Sequence, residues 1–366
     1  MFVQGSAPLV SYIKLVVHSW SELRVIRTTV DILLEPALLI RFPNQRCNET
    51  SLVLKSKPMH NLAPAREAVR EIDGDSWLIS DRLFIHRQSK PHDTQPSWPD
   101  GQGSFYVLSS ATEPPPSSMP LHLTSPIQKV HSAADRTATW QFGEAFLKVK
   151  DMNEQETHNT REHVTLTYLH ARGGWTFDLP RVLHHALWSN RYVLLVTAVR
   201  GRTLGSEWPT MDEEMKEYYI NRVIEVCREL SHWEADYIGG VDKRTLAESY
   251  MAGQDDSYTN DHLMMASKEL GMDCSALFHF YHCDLGPGNI IVDVNDRSIG
   301  IIDWEIAGFV PWEWLRTKFR LSSGLDLPWE EESRLEYRRR VGVAMGEQRF
   351  PDVVDAYLAR RAKLNK

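Results

Sequence analysis

Between Thr137 and Val149 the chain alternates apolar and polar residues with period two, TATWQF and then AFLKV on either side of Gly143-Glu144. That pattern predicts an antiparallel hairpin closed by a two-residue turn. Arg191 to Val199 (RYVLLVTAV) is strongly apolar and reads as a core strand, while Asp151 to Ala171 suits a helix with Val164, Leu166, Tyr168 and Leu169 among its apolar positions. Thr210-Met211-Asp212-Glu213 has the form of a capping box. It opens a long helix in which Met215, Tyr219, Val223, Cys227 and Leu230 recur every three or four residues. Helical character returns around residues 260–270 and from Pro328 to Ala362. Two further apolar runs, Ile290-Ile291-Val292 and Ile299 to Ile302, flank the turn-forming Asp293, Asn295 and Asp296 and predict a second hairpin.

Upstream, Pro64 is expected to begin a short helix through Ile72, stopped by Asp73-Gly74-Asp75. Trp77-Leu78-Ile79, Leu83-Phe84-Ile85 and Phe105 to Leu108 read as short strands, and Trp98-Pro99-Asp100-Gly101 has turn chemistry. Ala111 to Pro126, with Pro114-Pro115-Pro116, reads as an extended linker. Residues 1–60 alternate apolar and polar stretches without turn logic. The expected organisation is an N-terminal extension (1–60), an accessory segment with a Pro-rich linker (61–125), a small antiparallel-sheet lobe (126–200) and a mainly helical lobe (201–366). Gly201 marks the crossing between the lobes. No strand–helix alternation supports a doubly wound sheet, and strands followed by helices fit the α+β class.

Composition narrows the function classes. Of 366 residues, 42% are hydrophobic and 25% charged, as in ordinary soluble globular chains. A formal charge of -8 argues against nucleic acid as partner, since phosphate recognition needs clustered Lys and Arg. The four cysteines, Cys47, Cys227, Cys274 and Cys283, lack paired metal spacing and read as reduced thiols of a cytoplasmic protein. No apolar run is long enough to span a bilayer, and the N-terminus is a poor signal peptide, so no membrane partner is expected. Nothing in the pattern specifies an oligomeric state.

The chemistry concentrates in Tyr281 to Glu305, YHCDLGPGNIIVDVNDRSIGIIDWE. If Val292 pairs with Ile299, Asn289 falls opposite Ile302 and Asp303 lies one residue away across the ladder. Opposed residues stand about 4.5–5.5 Å apart, close enough for an amide oxygen and a carboxylate to hold one hard cation. Such donors without a thiol favour Mg²⁺ over zinc or copper. Asp284 stands at the mouth of that site on a loop with Gly286, Pro287 and Gly288. The set suits phosphoryl transfer, where the protein positions the donor and orients a nucleophile. His282-x-Asp284-x₄-Asn289, followed by Asp303, matches the protein-kinase catalytic loop and metal-binding Asp. Cys283 in place of Arg, Asp303-Trp304-Glu305 in place of Asp-Phe-Gly and the missing Ala-Pro-Glu segment depart from it.

HCDLGPGNIIV and IIDWEIAGFVPWEW together resemble the aminoglycoside phosphotransferase and choline kinase family, particularly its fungal members. The resemblance implies a two-lobed kinase-like fold with ATP between the lobes and a hydroxyl-bearing small molecule as acceptor. It assigns Asp284 as the acceptor of the hydroxyl proton, and Asn289 and Asp303 as Mg²⁺ ligands, with Glu305 as a third ligand or a residue shaping the cleft. His282 belongs to the catalytic segment, as a brace more than as a reactant. Lys148 looks like the family's phosphate-binding lysine and Glu162, against the competing Glu154 and Glu156, like its ion-pair partner. Ser132 lies where a phosphate-covering loop is expected, in a stretch that lacks glycine, and Val196 to Val199 form the adenine-facing hinge. Trp312, Trp314 and Trp329, with Asp326 and Glu330-Glu331-Glu332, are either an amine-binding acceptor pocket or core tryptophans beside a solvated helix start. The glycine-free loop keeps a catalytically silent nucleotide-binding module or scaffold open as an alternative, with a protein kinase behind it.

Overall fold

The computed structural model describes residues 63–253, 258–328 and 331–364. The N-terminal extension, Cys47, Trp329 and Glu330 lie outside the described residues, as do the side chains of Glu331 and Glu332.

The chain is α+β, with antiparallel sheets in the small lobe and mainly helices in the larger one. Eleven strands lie between residues 69 and 197: β1 (Val69–Asp73), β2 (Ser76–Ile79), β3 (Leu83–Gln88), β4 (Ser97–Pro99), β5 (Phe105–Ser110), β6 (Met119–Pro120), β7 (Gln128–Ala133), β8 (Thr137–Phe142), β9 (Ala145–Asp151), β10 (Val182–Trp188) and β11 (Arg191–Thr197). They form two sheets, in the orders β4-β5-β3-β2-β1-β6 and β10-β11-β9-β8-β7. The hairpin read from TATWQF and AFLKV is present, with Phe142 opposite Ala145 and Thr139 opposite Lys148.

Period-two alternation divides the five-stranded sheet into two faces. Trp140, Phe142, Leu147, Val149, Val193 and Leu195 pack against Trp77, Ile79, Ile85, Trp98, Tyr106 and Leu108 of the six-stranded sheet in one core. Trp98 Nε1–H donates to the Phe142 carbonyl at 2.7 Å, so the two sheets are joined by a buried polar contact as well. Residues 63–125 thus pack on one face of the five-stranded sheet. The opposite face carries Lys148, which lies directly across from Leu194. Leu194 and Val196 belong to the other core, shared with the helices. Buried Arg191 ties the sheets at one end, pairing with both oxygens of Asp151 at 2.7 Å and reaching Ser80 Oγ at 3.2 Å.

Three expected elements differ. Pro64–Ile72 is a single 3₁₀ turn (Ala65–Glu67) followed by β1, because Val69 and Glu71 turn inward where a neighbouring strand is available. The helix expected from Asp151 begins at Glu162: β9 runs on to Asp151 to pair with Arg191, and a 3₁₀ turn (Gln155–His158) follows before α1 (Glu162–Arg172). The long helix Glu213–Ser231 is capped by Asp212, whose side chain accepts the Met215 N–H, rather than by Thr210. Its Tyr219, Val223, Cys227 and Leu230 are buried as the spacing requires. The larger lobe also contains helices Asn260–Glu269, Trp312–Leu321, Glu336–Glu347 and Val354–Leu364. Two small sheets embedded in it hold the polar segment: Arg202–Thr203 with Ile290–Asp293 and Ser298–Ile301, and Glu234–Ala235 with Phe278–His282 and Ala307–Val310. None of the helices among the described residues is long and apolar enough to cross a membrane.

Candidate active site

The hairpin register is the expected one: Val292 faces Ile299, and Ile302 N–H donates to the Asn289 carbonyl at 3.0 Å. Asn289 and Asp303 therefore stand side by side at the open end of the ladder. At Asp303 the backbone enters the left-handed region (φ 64°, ψ 58°), which Asp tolerates better than most residues. That kink lies two residues beyond the strand's end at Ile301 and leads directly into the 3₁₀ turn Trp304–Ile306.

Strand Phe278–His282 leads into the segment His282 to Asn289. His282 is fully buried; its Nε2–H donates to the Ile302 carbonyl at 3.0 Å, and Nδ1 accepts the Asp284 N–H at 3.2 Å. Those two partners select the tautomer. Burial lowers its pKa to about 4, so the ring is neutral and acts as a strut between the two halves of the site. Asn289 Nδ2 donates to the Asp284 carbonyl at 2.8 Å and to its Oδ2 at 3.0 Å, closing the loop on itself. This leaves the amide oxygen of Asn289 and Oδ1 of Asp284 without hydrogen bonds among the described residues. Burial, with the Asp303 charge behind it, pushes the Asp284 carboxyl up to about 6.

From the small lobe, Lys148 Nζ reaches Glu162 Oε2 and Asp303 Oδ1, both at 2.7 Å. Glu162, not Glu154 or Glu156, is the lysine's helix partner; Glu156 pairs with Arg136 and Lys150. Glu162 Oε1 also accepts the Trp304 N–H at 3.3 Å, which fastens α1 to the residue after Asp303. Burial works against the Lys148 ammonium, yet Asp303 and Glu162 outweigh it and hold its pKa well above the ordinary value. Burial raises the Glu162 pKa above the ordinary carboxylate range, and one ammonium shared between two carboxylates offsets this only in part. Burial likewise opposes ionised Asp303, but Lys148 wins and keeps its pKa below the usual range.

The remaining candidates are placed less centrally. Glu305 turns to Lys150 at 3.0 Å. Lys150 was missed by sequence reasoning, although it falls two residues after Lys148 and so shares its face. Ser132 is exposed on β7, next to the hairpin turn at Ala134. Val196 is buried; beyond it the Thr197 and Ala198 N–H groups donate to Arg181 and Glu144 carbonyls, whereas that of Val199 has no such partner among the described residues. Trp304 and Trp314 are core, Trp312 stacks on Phe350, and Asp326 is neutralised by Arg334 and Arg338. Cys283 is a buried thiol whose pKa burial raises far above the ordinary value, which makes it unreactive.

Among the described residues no group of three or more His, Cys, Asp and Glu side chains could hold a metal by itself. One amide oxygen and one carboxylate do fit Mg²⁺, which keeps several waters and takes its remaining oxygens from phosphates.

The model of the phosphotransferase enzyme family (APH) matches residues 130–313, a span that contains Lys148, Glu162, Asp284, Asn289 and Asp303. The chain belongs to this family. Among solved structures it is similar to the aminoglycoside phosphotransferase APH(3'')-Id from Streptomyces rimosus, with 17% identity, a TM-score of 0.42, and 63% of this chain and 92% of that one covered. It is also similar to the GDP complex of aminoglycoside 2'-phosphotransferase-IIIa, at 13% identity and TM-score 0.38, over 64% of this chain and 90% of that chain. Monomeric WbdD is a third, at 14% identity and TM-score 0.34, over 69% of this chain and 53% of that chain. Among curated proteins none matches.

Proposed function

We propose that the protein is a small-molecule kinase, transferring the γ-phosphate of ATP to a hydroxyl with Mg²⁺. One observation carries this reading: Lys148, Glu162 and Asp303 from both lobes share a single ion-pair network, one residue across the ladder from Asn289 and its partner Asp284. Lys148 would bind the α/β-phosphates, held in place by Glu162. The Val199 N–H and its neighbouring carbonyls offer the hinge an edge for adenine. Asn289 and Asp303 would hold Mg²⁺, which would supply charge neutralisation at the phosphates. Asp284 orients the acceptor hydroxyl and takes its proton on Oδ1; the service of a general base is worth about 10²–10⁴-fold. His282 acts only by holding that loop.

The absence of a glycine between His131 and Arg136 favours the silent-module alternative, and Ser132, exposed on β7, is then the only hydroxyl of that stretch available to a phosphate. Measuring ADP formation and thermal shift with and without Mg²⁺ separates the two, and a panel of hydroxylated metabolites identifies the acceptor. A folded chain that binds neither Mg-ATP nor any nucleotide would falsify the proposal. Transfer to generic protein substrates in preference to the panel would favour a protein kinase instead.

A further inference from the structure

The oxygen of Asp284 that Asn289 does not engage faces a loop 40 residues downstream, the 3₁₀ turn Ser323–Leu325. A Cβ built on Gly324 would lie 3.5 Å from Asp284 Oδ1 and 3.4 Å from Ser322 Oγ. Both are ordinary contact distances, and the Gly324 backbone does not occupy the left-handed region, so neither strain nor a clash demands glycine there. What glycine provides is room. A nucleophilic oxygen must come within about 2.6–3.2 Å of the base, and a methyl group 3.5 Å from Oδ1 would take up space beside it.

The loop's position is built, not incidental. Ser323 N–H donates to the Tyr250 hydroxyl at 3.3 Å, and the Tyr250 hydroxyl and Ser323 Oγ are 3.1 Å apart. The Tyr250 ring lies over Lys318 Nζ at 4.5 Å. Lys318 in turn binds both oxygens of Glu248, at 2.7 and 2.8 Å, with both residues buried. A buried ion pair is weak evidence for stability, since desolvation offsets its attraction; here it seats the tyrosine that sets the loop. Gly286 of the catalytic segment closes on the same loop, where an added Cβ would come to 2.8 Å from the Gly324 carbonyl.

We propose that Gly324 keeps open the acceptor's approach to Oδ1 of Asp284, on a loop that Tyr250 fixes over the Glu248–Lys318 pair. This inference rests on the phosphotransferase reading. In the step concerned, the acceptor oxygen forms a bond to the γ-phosphorus as the bond to the ADP oxygen breaks, and the acceptor proton passes to Asp284. With water as acceptor the products are ADP and inorganic phosphate.

The test is Mg-ATP hydrolysis by the full chain, with Mg-ADP affinity measured beside it. Gly324→Ala is expected to lower turnover at saturating ATP by at least about tenfold, a part of the 10²–10⁴ that a general base supplies, while leaving Mg-ADP affinity within about twofold. Unchanged turnover overturns this inference alone. Wild-type chain that forms no ADP overturns it together with the reading beneath it, and loss of Mg-ADP affinity in the variant overturns it as well. Should Gly324→Ala not fold, Tyr250→Phe serves: it keeps the ring over Lys318 but drops the hydroxyl, and turnover at the wild-type level would refute the positioning of the loop.

Discussion

Replacing Asp284 by Asn separates its proposed role as base from its effect on stability, because the burial that would tune the carboxylate for proton transfer also makes it costly. Its pKa rises from the ordinary 3.8 to about 6, chiefly through burial and then through the Asp303 charge, with Lys318 and Asn289 opposing. Two units correspond to about 3 kcal/mol at most. The sign follows from which state binds the proton more tightly. Below pH 3.8 both folded and unfolded chains are protonated and nothing is lost; as pH rises towards 6 the unfolded chain ionises freely while the folded one resists, so stability falls. Above pH 6 the penalty is constant. Asn carries no charge at any pH and its carbonyl oxygen can still accept from Asn289 Nδ2. Asp284→Asn is therefore expected to be more stable than wild type at pH 8 by about 1–3 kcal/mol, with the gain shrinking to a few tenths near pH 4. Phosphoryl transfer should drop by at least about 10²-fold with nucleotide affinity retained. Thermal unfolding at the two pH values and ADP formation at pH 8 measure both effects. A variant less stable than wild type at pH 8, or one whose gain is the same at both pH values, would refute the burial argument; full turnover would remove Asp284 as the base.

Lys148→Met leaves Glu162 and Asp303 without their shared ammonium; breaking such a buried pair costs about 3–5 kcal/mol, less here because the lysine side chain is 24% exposed. Mg-ADP affinity should weaken at least about tenfold, since a hydrogen bond to a charged group contributes about 1.5–3 kcal/mol, and calorimetry showing no change would sink the phosphate-binding role. Gly201→Ala puts a Cβ 2.4 Å from the Val292 carbonyl oxygen at a φ of +122°. It should cost more than about 2 kcal/mol in urea denaturation, and wild-type stability would show that the crossing between the lobes tolerates a side chain. Trp77→Ala empties a site packed edge-on against Tyr106 and Phe142. About 3–5 kcal/mol should be lost, and small-lobe unfolding unchanged in that variant would mean the two sheets do not share one core.

Much of the site was legible because its elements are local. The runs around Asp293 to Asp296 could pair in few ways without exposing their isoleucines, so the register that brings Asn289 beside Asp303 followed from the apolar pattern. Alternation along AFLKV likewise put Lys148 on the face opposite Leu147 and Val149. Composition and motif were enough for the α+β class and for the family. Contacts between segments far apart in the chain were not legible. Whether Pro64–Ile72 became helix or strand depended on a sheet edge offered by β2, and the start of α1 depended on β9 reaching Arg191. Nothing local in Ala111–Pro126 or the strands before it announced a second sheet covering the small lobe, since its aromatic residues find Phe142 and Trp140 only in the folded chain. The same holds for Glu248, Tyr250 and Lys318 beneath the loop of Gly324. Periodicity and turn chemistry act over a few residues and so can be read from the chain; burial and ion pairing between distant segments are decided by how all the faces pack at once.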